Sequence, residues 1–249
     1  SRRKHKTRVR EDYPIPGKGK AACMPDIKPD YCDIWTPELV ATEDAGWQRE
    51  RAFVRYAANI RDAAETYGLK TVAELCCGAG YVGGELEGSG LQYTGYDGSF
   101  SMLELCHSKF PTGDYQYLNV RDIGIPAISA GGLEVCSQPQ TDLVVCIAAL
   151  KHFGLHEWKE IFHKIVSCGR YSLVHIQYRL DPLPSIDDGT GYYHILINET
   201  ELDTAIAEAG FRVLKIYDLM DSSATPGAPE GVRESFFLMG PKRGIYSWL

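Results

Sequence analysis

The spacing of apolar and polar residues changes period several times along this chain, and each change marks an element. Residues 1–30, rich in Lys, Arg, Pro and Gly, show no apolar period and read as an extended arm. From about Glu43 the pattern turns helical. Trp47, Arg51, Val54, Arg55, Ala58 and residues 60–64 fit one amphipathic helix ending near Tyr67 and Gly68. An apolar run over 72–77 then breaks into Gly78-Ala79-Gly80-Tyr81-Val82-Gly83, and an alternating run over 91–96 ends on Asp97. This reads as strand, glycine turn, helix, strand, acid. Residues 100–110 follow as a helix, 115–120 as a short strand, and 124–140, with Gly131-Gly132, as a loop. The continuous apolar run over 141–149 suits a strand buried on both faces of a parallel sheet. Helical spacing over 155–168 ends at Gly169, taken as a left-handed terminator, before a strand over 171–180 and a long connection over 181–193. Residues 198–210 form a helix with Asn198 as its cap and Gly210 at its end. Strands over 211–217 and 234–240 come last, with no helix between them.

Seven strands alternating with helices until the last two predict a doubly wound α/β fold, mostly parallel, closed by an antiparallel strand. The expected division is an arm over 1–42 and one domain over 43–249. No internal repeat is visible in the sequence.

The glycine turn carries the first chemical clue. Glycines where a strand gives way to a helix let the backbone approach a ligand, and the helix start offers unpaired amides to it. An acid at the tip of the next strand, about 20 residues on, is placed to accept hydrogen bonds from ribose hydroxyls. Gly78-Ala79-Gly80-Tyr81-Val82-Gly83 alone matches the dinucleotide fingerprint of nicotinamide and flavin enzymes. Its flanks add more: Glu74 lies inside the strand before Gly78, and Asp97 is followed by Gly98, Ser99, Met102 and Leu103.

Together, ELCCGAG over 74–80 and GYDGSFSML over 95–103 resemble the first two motifs of class I S-adenosylmethionine-dependent methyltransferases. That family usually has glycine where this chain has Cys76. The resemblance covers roughly residues 45–242, including AEAGF at 207–211, and implies a seven-stranded Rossmann-like methyltransferase fold with S-adenosylmethionine as cofactor and S-adenosylhomocysteine as product. It places Glu74, Cys76, Gly78, Gly80, Asp97, Gly98, Ser99, Met102 and Cys146 around the cofactor. Asp122 falls where the family bonds the adenine amino group, and Ile123 where an apolar residue packs on the ring. A helix before the first strand often covers the cofactor in this family, so Arg51 or Arg55 either reaches the methionine carboxylate or stays an exposed helix arginine.

Composition narrows the class. The chain has 249 residues, 44% of them hydrophobic, no apolar run long enough for a bilayer, and no basic-then-apolar start of the secretory kind. Eight scattered cysteines without C-x-x-C pairs argue against zinc or a disulfide scaffold, so no metal is expected. The expectation is a soluble protein of the cytoplasm or another reducing compartment. Residues 1–20 hold eight Lys or Arg against Glu11 and Asp12, while the net charge is −7, so the body is acidic. That arm is either an electrostatic contact for nucleic-acid phosphates or a solubilising tail.

Within the resemblance, the end of the strand over 141–149 is where acceptor and methyl group meet. His152 just beyond it is the first candidate general base, with Tyr193 and His194 behind it. Neither an Asn/Asp-Pro-Pro-aromatic tetrapeptide nor a Pro-Cys pair follows the strand, which disfavours duplex DNA as substrate. Tyr178, Asp187, Asp188, Tyr192, Tyr193 and His194 cluster around the long connection, either as a pocket for a small polar or cationic acceptor or as surface packing. Three functions stay open: methyl transfer to an O or N atom of a small molecule, methyl transfer to RNA or a ribonucleoprotein through the basic arm, and a non-catalytic assembly role on the same fold.

Overall fold

The computed structural model describes residues 35–124, 126–129, 132–135, 138–179, 196–221 and 232–242. Two helices open it. In α1 (Pro37–Glu50) Thr36 caps the start, its hydroxyl accepting from the Leu39 amide, and Pro37 occupies the first turn, where its missing N–H costs nothing. Helix α2 (Ala52–Tyr67) follows after the single residue Arg51, and it ends on Gly68 at φ +66°.

The periodicity predicts one helix here; the structure breaks it at Arg51, whose φ of 50° is left-handed. The reason is tertiary. Trp47 of α1 packs with Trp35, Val40 and Met102, whereas Ala57, Ile60, Ala63 and Ala64 of α2 face the sheet. A straight helix has no way to serve both surfaces, so the chain turns between them. The Arg51 amide closes α1 by donating to the Trp47 carbonyl at 3.0 Å.

The remaining elements are β1 (Thr71–Leu75), α3 (Tyr81–Leu86), β2 (Gln92–Asp97), α4 (Phe100–Lys109), β3 (Asp114–Tyr117), β4 (Pro126–Ser129), β5 (Gly132–Val135), β6 (Thr141–Cys146), α5 (Trp158–Ser167), β7 (Gly169–Arg179), β8 (Ile197–Asn198), α6 (Glu199–Glu208), β9 (Phe211–Asp221) and β10 (Val232–Pro241). Seven strands form one path, β3-β2-β1-β6-β7-β10-β9, and the two-residue β8 adds to it by pairing in parallel with β7. Strands β1, β2, β3, β6 and β7 run parallel; β10 runs antiparallel to both β7 and β9. The doubly wound sheet with its antiparallel closure is therefore present. Among the described residues it carries one short strand beyond the seven expected.

One core packs α5 and α6 against Val144, Val174, Ile176 and Phe237; the other packs α2 and α3 against Leu143, Val145, Leu173, Phe236 and Leu238. Alternate residues of β6, β7 and β10 thus serve opposite faces, as the two-residue period of a strand requires.

Two local expectations change. Residues 124–140 include an antiparallel hairpin, β4 with β5, rather than a loop throughout. Gly169 does not end α5 in a left-handed turn. It opens β7 opposite Thr141, where an added Cβ would lie 2.6 Å from the Tyr171 carbonyl oxygen and 2.7 Å from the Val144 amide. Close backbone approach, and not φ, requires glycine there.

The strand order reverses between β1 and β6. In a doubly wound sheet the crevice beyond the carboxyl ends of such a pair is the natural ligand site.

Candidate active site

A cavity of about 450 Å³ occupies that crevice. Its floor is the turn after β1, from Cys76 to Ala79, with Glu74 below and Asp97 alongside at the tip of β2. Trp35, Glu43 and Trp47 of the α1 region, and Phe53, Arg55 and Tyr56 of α2, form the roof. The far end is made by Ile147, Ala148, Ala149, Lys151 and His152 beyond β6, by His175 and Gln177 on β7, and by Glu234 on β10.

Asp97 sets the shape of the floor. Its Oδ2 accepts from the Gly78 amide at 2.9 Å and its Oδ1 from the Ser99 amide at 2.8 Å, although the residue is only 7% exposed. Burial pushes its carboxyl up to about 6, with the amides of Ser99, Gly78 and Gly98 pulling the other way. Ser99 also caps α4, its hydroxyl accepting from the Met102 amide, and Met102 reaches the cavity wall. Gly98 lies between these two and supplies one of the amides that favour the ionised form.

The turn itself is left-handed three times, at Cys76 (φ 59°), Gly78 (φ 54°) and Gly80 (φ 74°). Cys76 adopts the conformation in which glycine is the easier residue, at a cost in local strain. The two glycines serve different ends. Among the described residues a Cβ on Gly78 would meet nothing within 4 Å, and Gly78 lines the cavity; a Cβ on Gly80 would fall 2.9 Å from the Tyr115 ring and 3.0 Å from Cys106 Sγ. Gly80 is a packing residue behind the floor, its carbonyl accepting from the Tyr115 hydroxyl.

Glu74 is 2% exposed, and its Oε2 accepts from the Tyr93 hydroxyl at 2.5 Å. Burial drives this carboxyl up to about 8; the Tyr93 hydrogen bond opposes that and the Asp97 charge adds to it. At neutral pH Glu74 is mostly protonated. Its carboxyl holds β1 to β2 rather than placing a second charge beside Asp97.

The other sequence candidates lie as follows. Cys146 is fully buried at the end of β6, opposite Leu75. Asp122 is exposed at the end of a short 3-10 turn over Val120–Asp122, and Ile123 is buried in the core beside α5; neither belongs to the cavity wall. His152 lines the cavity and meets Trp35 edge-on, with ring centroids 6.3 Å apart. Arg55 lines it as well, whereas Arg51 stands at the break between helices. Tyr178 is buried in the core against Phe237. Tyr193, with Asp187, Asp188, Tyr192 and His194, lies outside the described residues.

Sequence reasoning missed His175, Gln177 and Glu234. The signal was present: in YSLVHIQY, His175 and Gln177 occupy alternate positions of an otherwise apolar strand and so share one face. His175 is buried, and its Nδ1 accepts from the Ala148 amide at 3.2 Å. Burial first, then the nearby charges of Lys151 and Arg55, hold the imidazole down to about 3, so it is neutral at working pH.

No protein-family model and no curated protein sequence matches this chain. Solved structures do. It is similar to a magnesium protoporphyrin IX methyltransferase (ChlM) from Synechocystis PCC 6803 with bound SAM, at 12% identity and a TM-score of 0.53 over 76% of this chain and 79% of that one. An S-adenosylmethionine-dependent methyltransferase from Clostridium acetobutylicum ATCC 824 aligns at 12% identity and TM-score 0.56, covering 81% of this chain and 98% of its own. Streptomyces venezuelae DesVI aligns at 15% and 0.54, over 80% and 97%. With the strand order, the β1 turn and the acid at the tip of β2 already in view, the chain has the fold of the class I S-adenosylmethionine-dependent methyltransferases.

Proposed function

We propose that the chain is an S-adenosylmethionine-dependent methyltransferase acting on an O or N atom of a small molecule. The observation that carries this reading is the Asp97–Gly78 pair at the cavity floor, a carboxylate and an open glycine turned to the same space. The dimensions fit: about 450 Å³ lies within the ~300–1,000 Å³ common for small-molecule sites. Asp97 retains lone pairs beyond those taken by Gly78 and Ser99, which suits ribose hydroxyls. Gly78 leaves open space suited to the amino-acid tail of the cofactor, and Met102 and Cys77 line the same cavity. The cofactor supplies a methyl group already activated on a positively charged sulfur.

What remains for the protein is alignment, exclusion of water and care of one proton. Trp35, Trp47, Phe53 and Tyr56 cover the cavity with apolar surface. Glu43 and Asp97 offset a cationic ligand by charge. His152, beyond β6, is assigned the proton of an acceptor that arrives protonated. Orientation of this kind accounts for much of the rate in reactions that need no covalent help. The solved neighbours crystallised with SAM or SAH support the choice of cofactor, and one of them is named for a small-molecule substrate.

Titration calorimetry with S-adenosylhomocysteine tests the reading. Saturable one-to-one heat, reduced in Asp97→Ala, is the expected result. No heat, together with an unshifted melting temperature at millimolar ligand, would leave only a fold without its cofactor.

A further inference from the structure

The far end of the cavity contains a buried donor with no acceptor among the described residues. His175 Nδ1 takes the Ala148 amide, so its proton must reside on Nε2. The ring packs between Tyr56, with centroids 6.2 Å apart, and Phe236, at 5.1 Å. His175 lines the cavity at 4% exposure, and its Nε2 is buried with no hydrogen-bond partner among the described residues. A donor left so is costly unless a ligand completes it.

Glu234 stands opposite. Its Oε1 accepts from Gln177 Nε2, its neighbour across the β7–β10 ladder, and its Oε2 lies 3.8 Å from His175 Nε2. That gap is too long for a direct hydrogen bond and short enough for one oxygen to lie within reach of both. We propose that His175 and Glu234 form the acceptor subsite of this cavity and that the group it takes is a hydroxyl, its oxygen receiving the His175 Nε2–H and its hydrogen directed to Glu234 Oε2.

The pair excludes other groups by chemistry. A carboxylate or phosphate has no hydrogen to direct to Glu234 Oε2, and an ammonium has no lone pair for the histidine. A hydroxyl satisfies both partners. Phe53 and Tyr56, which line the same cavity, favour one carried on a flat, apolar frame. That the group is the methyl acceptor rests on the methyltransferase reading; that the subsite binds a hydroxyl does not.

Phenol is therefore the probe, with anisole and benzoate as controls. In the full chain labelled with 15N-histidine, phenol shifts the His175 Nε2–H signal saturably, whereas anisole and benzoate bind at least about tenfold more weakly. Glu234→Gln, which keeps shape and removes charge, weakens phenol about tenfold, and His175→Phe abolishes the response. Equal affinity for phenol and anisole, tighter benzoate, an unmoved His175 signal or an indifferent Glu234→Gln would each overturn the assignment. Should His175→Phe fail to fold, the Glu234→Gln titration and the ligand series decide alone. S-adenosylhomocysteine affinity, measured on the same proteins, is expected to be unchanged by both substitutions. If the unsubstituted chain binds none, the methyltransferase reading fails while the phenol series still reports on the subsite.

Discussion

The carboxylate of Asp97, at the tip of β2, accepts the amide of Gly78, in the turn after β1, at 2.9 Å. The residue assigned to the ribose is thus also the strut that holds the glycine turn. Binding and loop geometry are one interaction network, and removing the acid disturbs both.

Asp97→Ala is expected to weaken S-adenosylhomocysteine by about 1–3 kcal/mol, through lost charged hydrogen bonds and a loosened turn. Calorimetry measures it. An affinity equal to that of the unsubstituted chain would remove the cofactor assignment.

The two glycines of the turn separate binding from folding. Gly80→Val drives a side chain into Tyr115 and Cys106 at φ +74°, and should cost about 2–4 kcal/mol of stability in urea denaturation. Gly78→Ala meets no atom of the described residues, so it should cost about 1–2 kcal/mol in backbone strain while filling the floor and lowering S-adenosylhomocysteine affinity. If Gly78→Ala binds normally, the floor is not where the ligand rests.

Stability should depend on pH through Glu74. Its folded-state value, about 8, lies above the ordinary 4.5, so between those limits the folded state holds more protons than the unfolded one. The contribution is complete below about 4.5 and is lost as pH rises through 8. Asp97 acts in the same sense, over the window from 3.8 to about 6. His175 acts in the opposite sense: its contribution is complete above 6.5 and is lost as pH falls toward about 3. Glu74→Gln should therefore flatten the decline of the melting temperature between pH 5 and 8. Parallel curves for the two proteins would show that Glu74 is not held protonated.

Helix α1 is pinned over the cavity by Asp44, which accepts from the Tyr81 hydroxyl at 2.6 Å and pairs with Lys109 at 3.0 Å. Asp44→Ala should release this roof at a cost of about 1 kcal/mol, seen as faster amide exchange across residues 37–50 and a weaker S-adenosylhomocysteine complex. Unchanged exchange would assign the roof to the Trp35–Trp47–Met102 packing alone.

The parts of this fold that were legible in the sequence are those whose cause is local. The apolar run over 72–77, its break at Gly78, and an acid at Asp97 lie within one strand-turn-helix-strand unit, and each residue's role follows from its neighbours in the chain. Asn198 as the cap of α6, accepting from the Thr200 amide, was readable for the same reason. The hairpin of β4 and β5 was not, because four-residue strands carry too little period to stand out from a loop.

By itself the sequence determined the element order, the doubly wound class and the glycine turn with its facing acid, because hydrophobic period and backbone conformation act over a few residues. Only the tertiary structure decided the rest. It bent the helical pattern at Arg51 so that one half covers α4 and the other the sheet, sent Ile123 into the core, and protonated Glu74 by burying it beside Asp97. It also brought His175 and Glu234 to one wall, through the antiparallel register that sets Phe236 beside His175 and Glu234 beside Gln177. Burial and pairing between distant strands are properties of the packed sheet, and no local pattern encodes them.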